Sequence, residues 1–216
     1  MTQNQTACQF SGPTGTLEAL FERPGHRPRA VVVFGHPHPK HGGTMHNKVV
    51  SGAAKTFLGL GCAVLRFNFR GVGESEGQWD QGRGERADFQ SALDFAAITN
   101  PDTELWSAGF SFGAWLAMTC GISDPRVSQV LGIALPTGRY DLSDVQTSLK
   151  PKHFIHGERD EVIPIGELRE FFEQVSAPKT LTAIDAANHL FEGRIAEIGA
   201  AIRKTFGIIA RPEEQI

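Results

Sequence analysis

The chain has 216 residues, 40% of them hydrophobic and 21% charged, with 21 Lys and Arg against 24 Asp and Glu for a net charge of −3. This is ordinary globular composition, long enough to bury a core without disulfides or metals, and its near-neutral balance leaves no electrostatic footprint for nucleic acid or an anionic membrane. Cys8, Cys62 and Cys120 are far apart and form no CxxC, no apolar run reaches the length of a membrane span, and Met1 to Phe10 lacks an apolar signal region, so the expectation is a cytoplasmic protein with one domain over 1–216.

In chain order, residues 6–10 and 16–22 flank GPTG and are predicted to pair as an antiparallel hairpin at a sheet edge. Residues 30–34 (AVVVF) form a β-branched run that stops at Gly35. Val49, Val50, Ala53, Ala54 and Phe57 then recur at helical spacing. Residues 62–67 read as a buried strand; Phe89, Ala92, Leu93 and Ala96 mark a helix that Pro101 closes off. Residues 104–108 predict a strand into Gly109, followed by a helix through Trp115 to Cys120. Strands follow at 127–135, 152–156 and 180–184, with helical stripes at Leu168, Phe171, Phe172 and Val175, and at Ile195, Ile198, Ile202 and Phe206. Unbroken apolar strands alternating with helices indicate a mostly parallel, doubly wound α/β sheet. The core is expected over about 16–206, and the polar segment 210–216 as a loose tail.

In such sheets sites form at the carboxyl ends of the strands, and one strand-to-helix loop reads Gly109-Phe110-Ser111-Phe112-Gly113. This is the G-x-S-x-G nucleophile elbow, in which small residues let the turn close and the serine stands at a helix head. Gly73-Glu74-Ser75-Glu76-Gly77 matches the same pattern, but Ser75 lies in a polar loop between two glutamates with no helix behind it. Ser111 is therefore the candidate nucleophile. It needs a base and an orienter, expected in the chain order serine, acid, histidine. Asp160 follows the strand at 152–156 and His189 follows the strand at 180–184, in that order. Glu158 and Glu161 remain rival acids, and His153 and His156 rival bases.

The loop after the first buried strand reads His36-Pro37-His38-Pro39-Lys40-His41-Gly42-Gly43-Thr44-Met45-His46-Asn47. A second oxyanion donor is expected here. Pro37 and Pro39 have no N–H, which leaves the His38 amide, partnered by the Phe112 amide. His36, His38, His41 and His46 also admit a rival reading, a metal-dependent hydrolase, although the loop holds no acidic residue. The stretch Arg66 to Gly77 spaces its glycines unlike a dinucleotide fingerprint and lacks a P-loop lysine.

Together the elbow, FNFRGVGESEG and HPHPKHGGTMHNKVV resemble the α/β-hydrolase superfamily over about residues 16–206, in particular small uncapped bacterial hydrolases related to the dienelactone hydrolases. The resemblance implies an α/β-hydrolase fold without a cap, since only residues 136–150 are available where relatives insert one. It also implies a Ser111–His189–Asp160 triad. Dienelactone hydrolases proper use a cysteine nucleophile; Ser111 in its place implies ester or thioester hydrolysis. The expected partner is a small acyl substrate, with no cofactor, metal, nucleic acid or membrane. Trp79 and Tyr140 are candidates to line its site. A catalytically silent fold acting as a binding module is the remaining alternative. No pattern selects the acyl or alcohol group, or the oligomeric state.

Overall fold

The computed structural model describes residues 4–207, and the tail expected at 210–216 lies outside them. An N-terminal hairpin, β1 (Asn4–Gly12) and β2 (Gly15–Arg23), pairs antiparallel around Pro13 and Thr14. The other strands are β3 (Ala30–Gly35), β4 (Ala63–Phe67), β5 (Glu104–Phe110), β6 (Val127–Ile133), β7 (Lys152–Gly157) and β8 (Lys179–Ile184). The helices are α1 (Lys48–Gly59), α2 (Arg83–Thr99), α3 (Phe112–Ser123), α4 (Ser143–Thr147), α5 (Ile165–Gln174) and α6 (Ile195–Phe206). All eight strands form one sheet in the order β1-β2-β4-β3-β5-β6-β7-β8. The hairpin joins β4 antiparallel, and every pair from β4 to β8 is parallel. This is the α/β-hydrolase fold.

Both faces of the parallel sheet are buried over most of β3 to β7, which is why these strands read as largely apolar runs, while the edge strand β8 is only partly buried. In β3, Val31 and Val33 join one core, while Ala30, Val32 and Phe34 join the other. Helices α1 and α6 cover the second core through Val50, Ala53, Phe57, Ile198 and Ile202. Helices α2 and α3 cover the first through Phe89, Leu93, Leu116 and Ala117. Cys62 and Cys120 are buried free thiols, their pKa values pushed up by burial to about 12 and about 11.

Three details depart from the sequence reading. Strand β6 stops at Ile133 because Ala134 turns to a φ of 48°. Helix α2 begins six residues before its first buried aromatic, Phe89, because the Glu85 carboxylate accepts the free amides of Asp80 and Gly82 at 2.9 and 2.7 Å. Between β6 and β7 the chain forms the one-turn helix α4, which the sequence reading lacked; as that reading expected, no cap domain is inserted there. Among the described residues no helix is long and apolar enough to cross a membrane.

Charged and amide side chains fasten the chain where it leaves β4. Arg66 donates to Glu22 and to the Met45 carbonyl, both at 2.8 Å. Asn68 accepts the Met45 amide at 2.8 Å and donates to Glu18 at 2.8 Å. Arg70 forks onto Asp88 at 2.7 and 2.9 Å, and its own amide donates to the same carboxylate at 3.0 Å. This pair is buried, so removing one partner strands an uncompensated charge. Asp88→Asn is expected to lower unfolding free energy by about 3–5 kcal/mol, measured by urea denaturation.

Candidate active site

Ser111 occupies the turn between β5 and α3 with a φ of 54° and ψ of −119°, a conformation that non-glycine residues adopt only when their surroundings enforce it. The flanking glycines supply that enforcement. A Cβ on Gly109 would lie 2.1 Å from the Gly113 carbonyl oxygen, and one on Gly113 would lie 2.3 Å from the Gly35 carbonyl oxygen. The G-x-S-x-G spacing is therefore a steric requirement of α3 starting directly against β3 and β5. The Ser111 amide donates to Ile133 at 2.8 Å, and its carbonyl accepts Ala114 at 2.8 Å, so the turn is held at both ends.

His189 and Asp160 come from the loops after β8 and β7, and both are buried. His189 Nδ1 lies 2.8 Å from Asp160 Oδ2, and His189 Nε2 lies 3.1 Å from Ser111 Oγ. The carboxylate requires Nδ1 to carry the proton, which leaves Nε2 as acceptor for the serine hydroxyl. Asp160 Oδ1 accepts the amides of Val162 and Ile163 at 2.9 and 2.8 Å. Burial raises the Asp160 pKa, but the hydrogen bonds from His189 and the Ile163 amide outweigh it, and the net direction is down. The group is thus an acceptor with three of its four lone pairs committed.

The rivals sit elsewhere. Glu158 is exposed and pairs with Arg169 at 3.1 Å. Glu161 accepts the His189 backbone amide at 3.2 Å. His153 bonds Thr180 and Gln129 across the sheet. His156 is fully buried, donates from Nε2 to the Ile163 carbonyl at 2.8 Å and lies 3.4 Å from Asp160 Oδ2. Burial lowers its pKa, so it braces the Asp160 turn as a neutral ring. Ser75 is buried and ties its loop down, accepting the Glu18 amide at 2.9 Å and donating to the Asn68 carbonyl at 2.7 Å.

In the histidine-rich loop, His36 uses both ring nitrogens on backbone: Nδ1–H donates to the Pro37 carbonyl at 2.7 Å and Nε2 accepts the Phe69 amide at 3.1 Å. Burial lowers its pKa to about 4, which keeps the ring neutral. The His38 and His41 rings stack with centroids 4.6 Å apart. Among the described residues no three His, Cys, Asp or Glu side chains are placed to hold a metal ion.

Ser111 and His189 open onto a cleft of about 190 Å³ lined also by His38, Phe112, Arg139, Tyr140, Val162 and Leu190. The backbone amides of His38 and Phe112 have no acceptor among the described residues. Tyr140 lines the cleft and stacks on Trp115 with centroids 3.9 Å apart. Trp79 does not line it; this ring packs against His38 and Phe112 at 4.7 and 5.3 Å. Arg139, Val162 and Leu190 were not read from the sequence. Leu190 and Val162 could have been found as neighbours of His189 and Asp160, whereas Arg139 lies in a patternless connection.

Residues 26–142 match the family described as serine aminopeptidase, S33. An uncharacterized protein of Rickettsia prowazekii (strain Madrid E) is 33% identical over 202 residues, 89% of this chain and 85% of that protein. A solved α/β serine hydrolase homologue from Coxiella burnetii is 33% identical with a TM-score of 0.89, covering 95% of this chain and 99% of that one. An α/β serine hydrolase without a lid from Xanthomonas campestris is 30% identical with a TM-score of 0.87, covering 97% and 98%.

The close approach at the turn makes a steric prediction. Gly113→Ala places a methyl group against the Gly35 and His36 carbonyls. The variant is expected to melt several degrees lower than the parent in a thermal scan, or to fail to accumulate as soluble protein.

Proposed function

We propose that this chain, which belongs to the serine aminopeptidase S33 family within the α/β-hydrolase superfamily, hydrolyses a carboxylic ester or thioester through an acyl-enzyme on Ser111. The observation that carries the reading is the hydrogen-bonded series from Asp160 Oδ2 through His189 to Ser111 Oγ, at 2.8 and 3.1 Å. In this reading His189 Nε2 takes the serine proton as Oγ attacks the acyl carbon. Asp160 holds the imidazole tautomer and stabilises the charge that forms. The His38 and Phe112 amides receive the oxyanion, and Phe112 opens α3, where helix amides are free to do so. His189 then returns its proton to the leaving group, and water, activated by the same imidazole, releases the acid.

The size of the cleft supports a short acyl group. At about 190 Å³ it lies below the roughly 300–1,000 Å³ of sites that enclose drug-sized ligands. Its walls are apolar at Phe112, Tyr140, Val162 and Leu190.

Three experiments test the proposal. With p-nitrophenyl esters from acetate to dodecanoate, turnover is expected to be highest for the short chains and to fall at least about 10³-fold in Ser111→Ala. A fluorophosphonate probe is expected to label Ser111 and to lose that label in His189→Ala; a label on Ser75, or none, would overturn the assignment. The third experiment addresses the oxyanion donor. His38 has a φ of −53°, which proline adopts without strain. His38→Pro deletes the N–H and is expected to lower kcat by about 10²–10³-fold, whereas His38→Ala, which keeps it, loses far less.

A further inference from the structure

We infer that the cleft selects substrates carrying a negatively charged group close to the scissile bond, and that Arg139 is the residue that receives it. The inference rests on the proposed acyl-enzyme reading and goes on to name its substrate class.

The distribution of charge around the cleft is one-sided. Outside the proposed triad, Arg139 is the cationic side chain among the residues that line it, beside the rings of His38 and His41, and no carboxylate lines it. Arg139 is exposed, and no ion pair among the described residues includes it. Its one side-chain hydrogen bond among the described residues is a 3.3 Å contact from Nη2 to the Val162 carbonyl. The acids of the adjoining loop are committed elsewhere. Asp160 is held by His189 and two amides, Glu158 by Arg169, and Glu161 by the His189 amide. Glu167 approaches the backbone at Gly138 without reaching the guanidinium. Four of a guanidinium's five N–H groups are therefore without protein acceptors, in the planar fork that fits a carboxylate.

The charge is felt inside the cleft. The pKa of His38 is lowered by burial first, then by His41 and by Arg139. Arg139 and His38 line the same cleft as Ser111. The same cleft is lined by Tyr140, Phe112 and Val162, which give it apolar surface beside Arg139 and Ser111. A short acyl or alcohol chain ending in an anion matches that combination of apolar surface and cation.

The test compares matched ester pairs on the full chain. In the acyl arm, p-nitrophenyl hemiglutarate is set against p-nitrophenyl pentanoate. In the alcohol arm, a carboxy-substituted p-nitrophenyl butyrate is set against p-nitrophenyl butyrate. The ratio of kcat/KM, anionic over neutral, is measured for the parent and for Arg139→Gln. The expected result is that in one arm the ratio falls about tenfold in Arg139→Gln, and falls also for the parent as salt is raised. The arm that responds identifies the side of the bond that bears the charge. Arg83→Gln, an exposed arginine that pairs with Asp80 outside the cleft, is expected to leave both ratios unchanged. Ratios that Arg139→Gln does not alter in either arm overturn the inference, even with brisk turnover of the neutral esters. Absence of turnover of all four esters above Ser111→Ala overturns the underlying acyl-enzyme reading instead.

Discussion

The site depends on how closely one helix is allowed to approach two strands. The start of α3 is pressed against the ends of β3 and β5, with so little space that a methyl group at either Gly109 or Gly113 would overlap a carbonyl oxygen. This contact does two things at once. It forces Ser111 into a conformation that lifts its side chain above the sheet, and it pins the end of β3 to the first turn of the helix. The two proposed oxyanion donors, His38 and Phe112, lie on opposite sides of that contact. They come from segments far apart in sequence, yet their relative placement is set by backbone touching backbone at Gly113 and Gly35, with no flexible side chain between.

A second set of constraints holds the histidine-rich loop. His36 bridges the Pro37 carbonyl and the Phe69 amide, which ties the loop after β3 to the loop after β4. Asn68 and Arg66 repeat the tie at Met45 from the other end. Buried polar groups of this kind are costly unless every donor finds an acceptor, and here each finds one. The stretch from Arg66 to Gly77, rich in glycine and charge, therefore spends its unusual composition on fastening. Its second G-x-S-x-G match is part of the same work, since Ser75 closes the loop against β2 and Asn68.

Much of this was legible in the residues. The parallel strands from β3 to β7 announced themselves as largely apolar runs because both faces are mostly covered, and the turn at Ser111 was marked by glycines whose need is steric. The candidate acid and base were found by their loops, after β7 and β8. What distinguishes Asp160 from Glu158 and Glu161 was not legible, because it resides in local geometry. Asp160 alone can accept the amides of Val162 and Ile163 with one oxygen while offering the other to His189. Trp79 was read as a wall of the site from its aromaticity, a property it shares with Phe112; which of the two faces the cleft is decided by a loop path that carries no period. The helix α4 was missed for a related reason. One turn with a single buried residue, Val145, is too short to show a stripe.

The absence of a cap between β6 and β7 bears on how such a cleft can be selective. A lid encloses a ligand and discriminates by shape over most of its surface. Here the walls are the loops themselves, the enclosed space is small, and much of any substrate remains in contact with water. Under those conditions burial of apolar area discriminates weakly, by about 1–3 kcal/mol per methylene at most. A directional charged group at the rim acts over a longer distance, and on a substrate still partly solvated. The connection that replaces the cap in this chain carries Arg139 at that rim, in reach of the cleft and without a carboxylate partner among the described residues. Under the inference drawn for Arg139, a lidless hydrolase fold with a cation at that rim recognises its substrate by charge more than by enclosure.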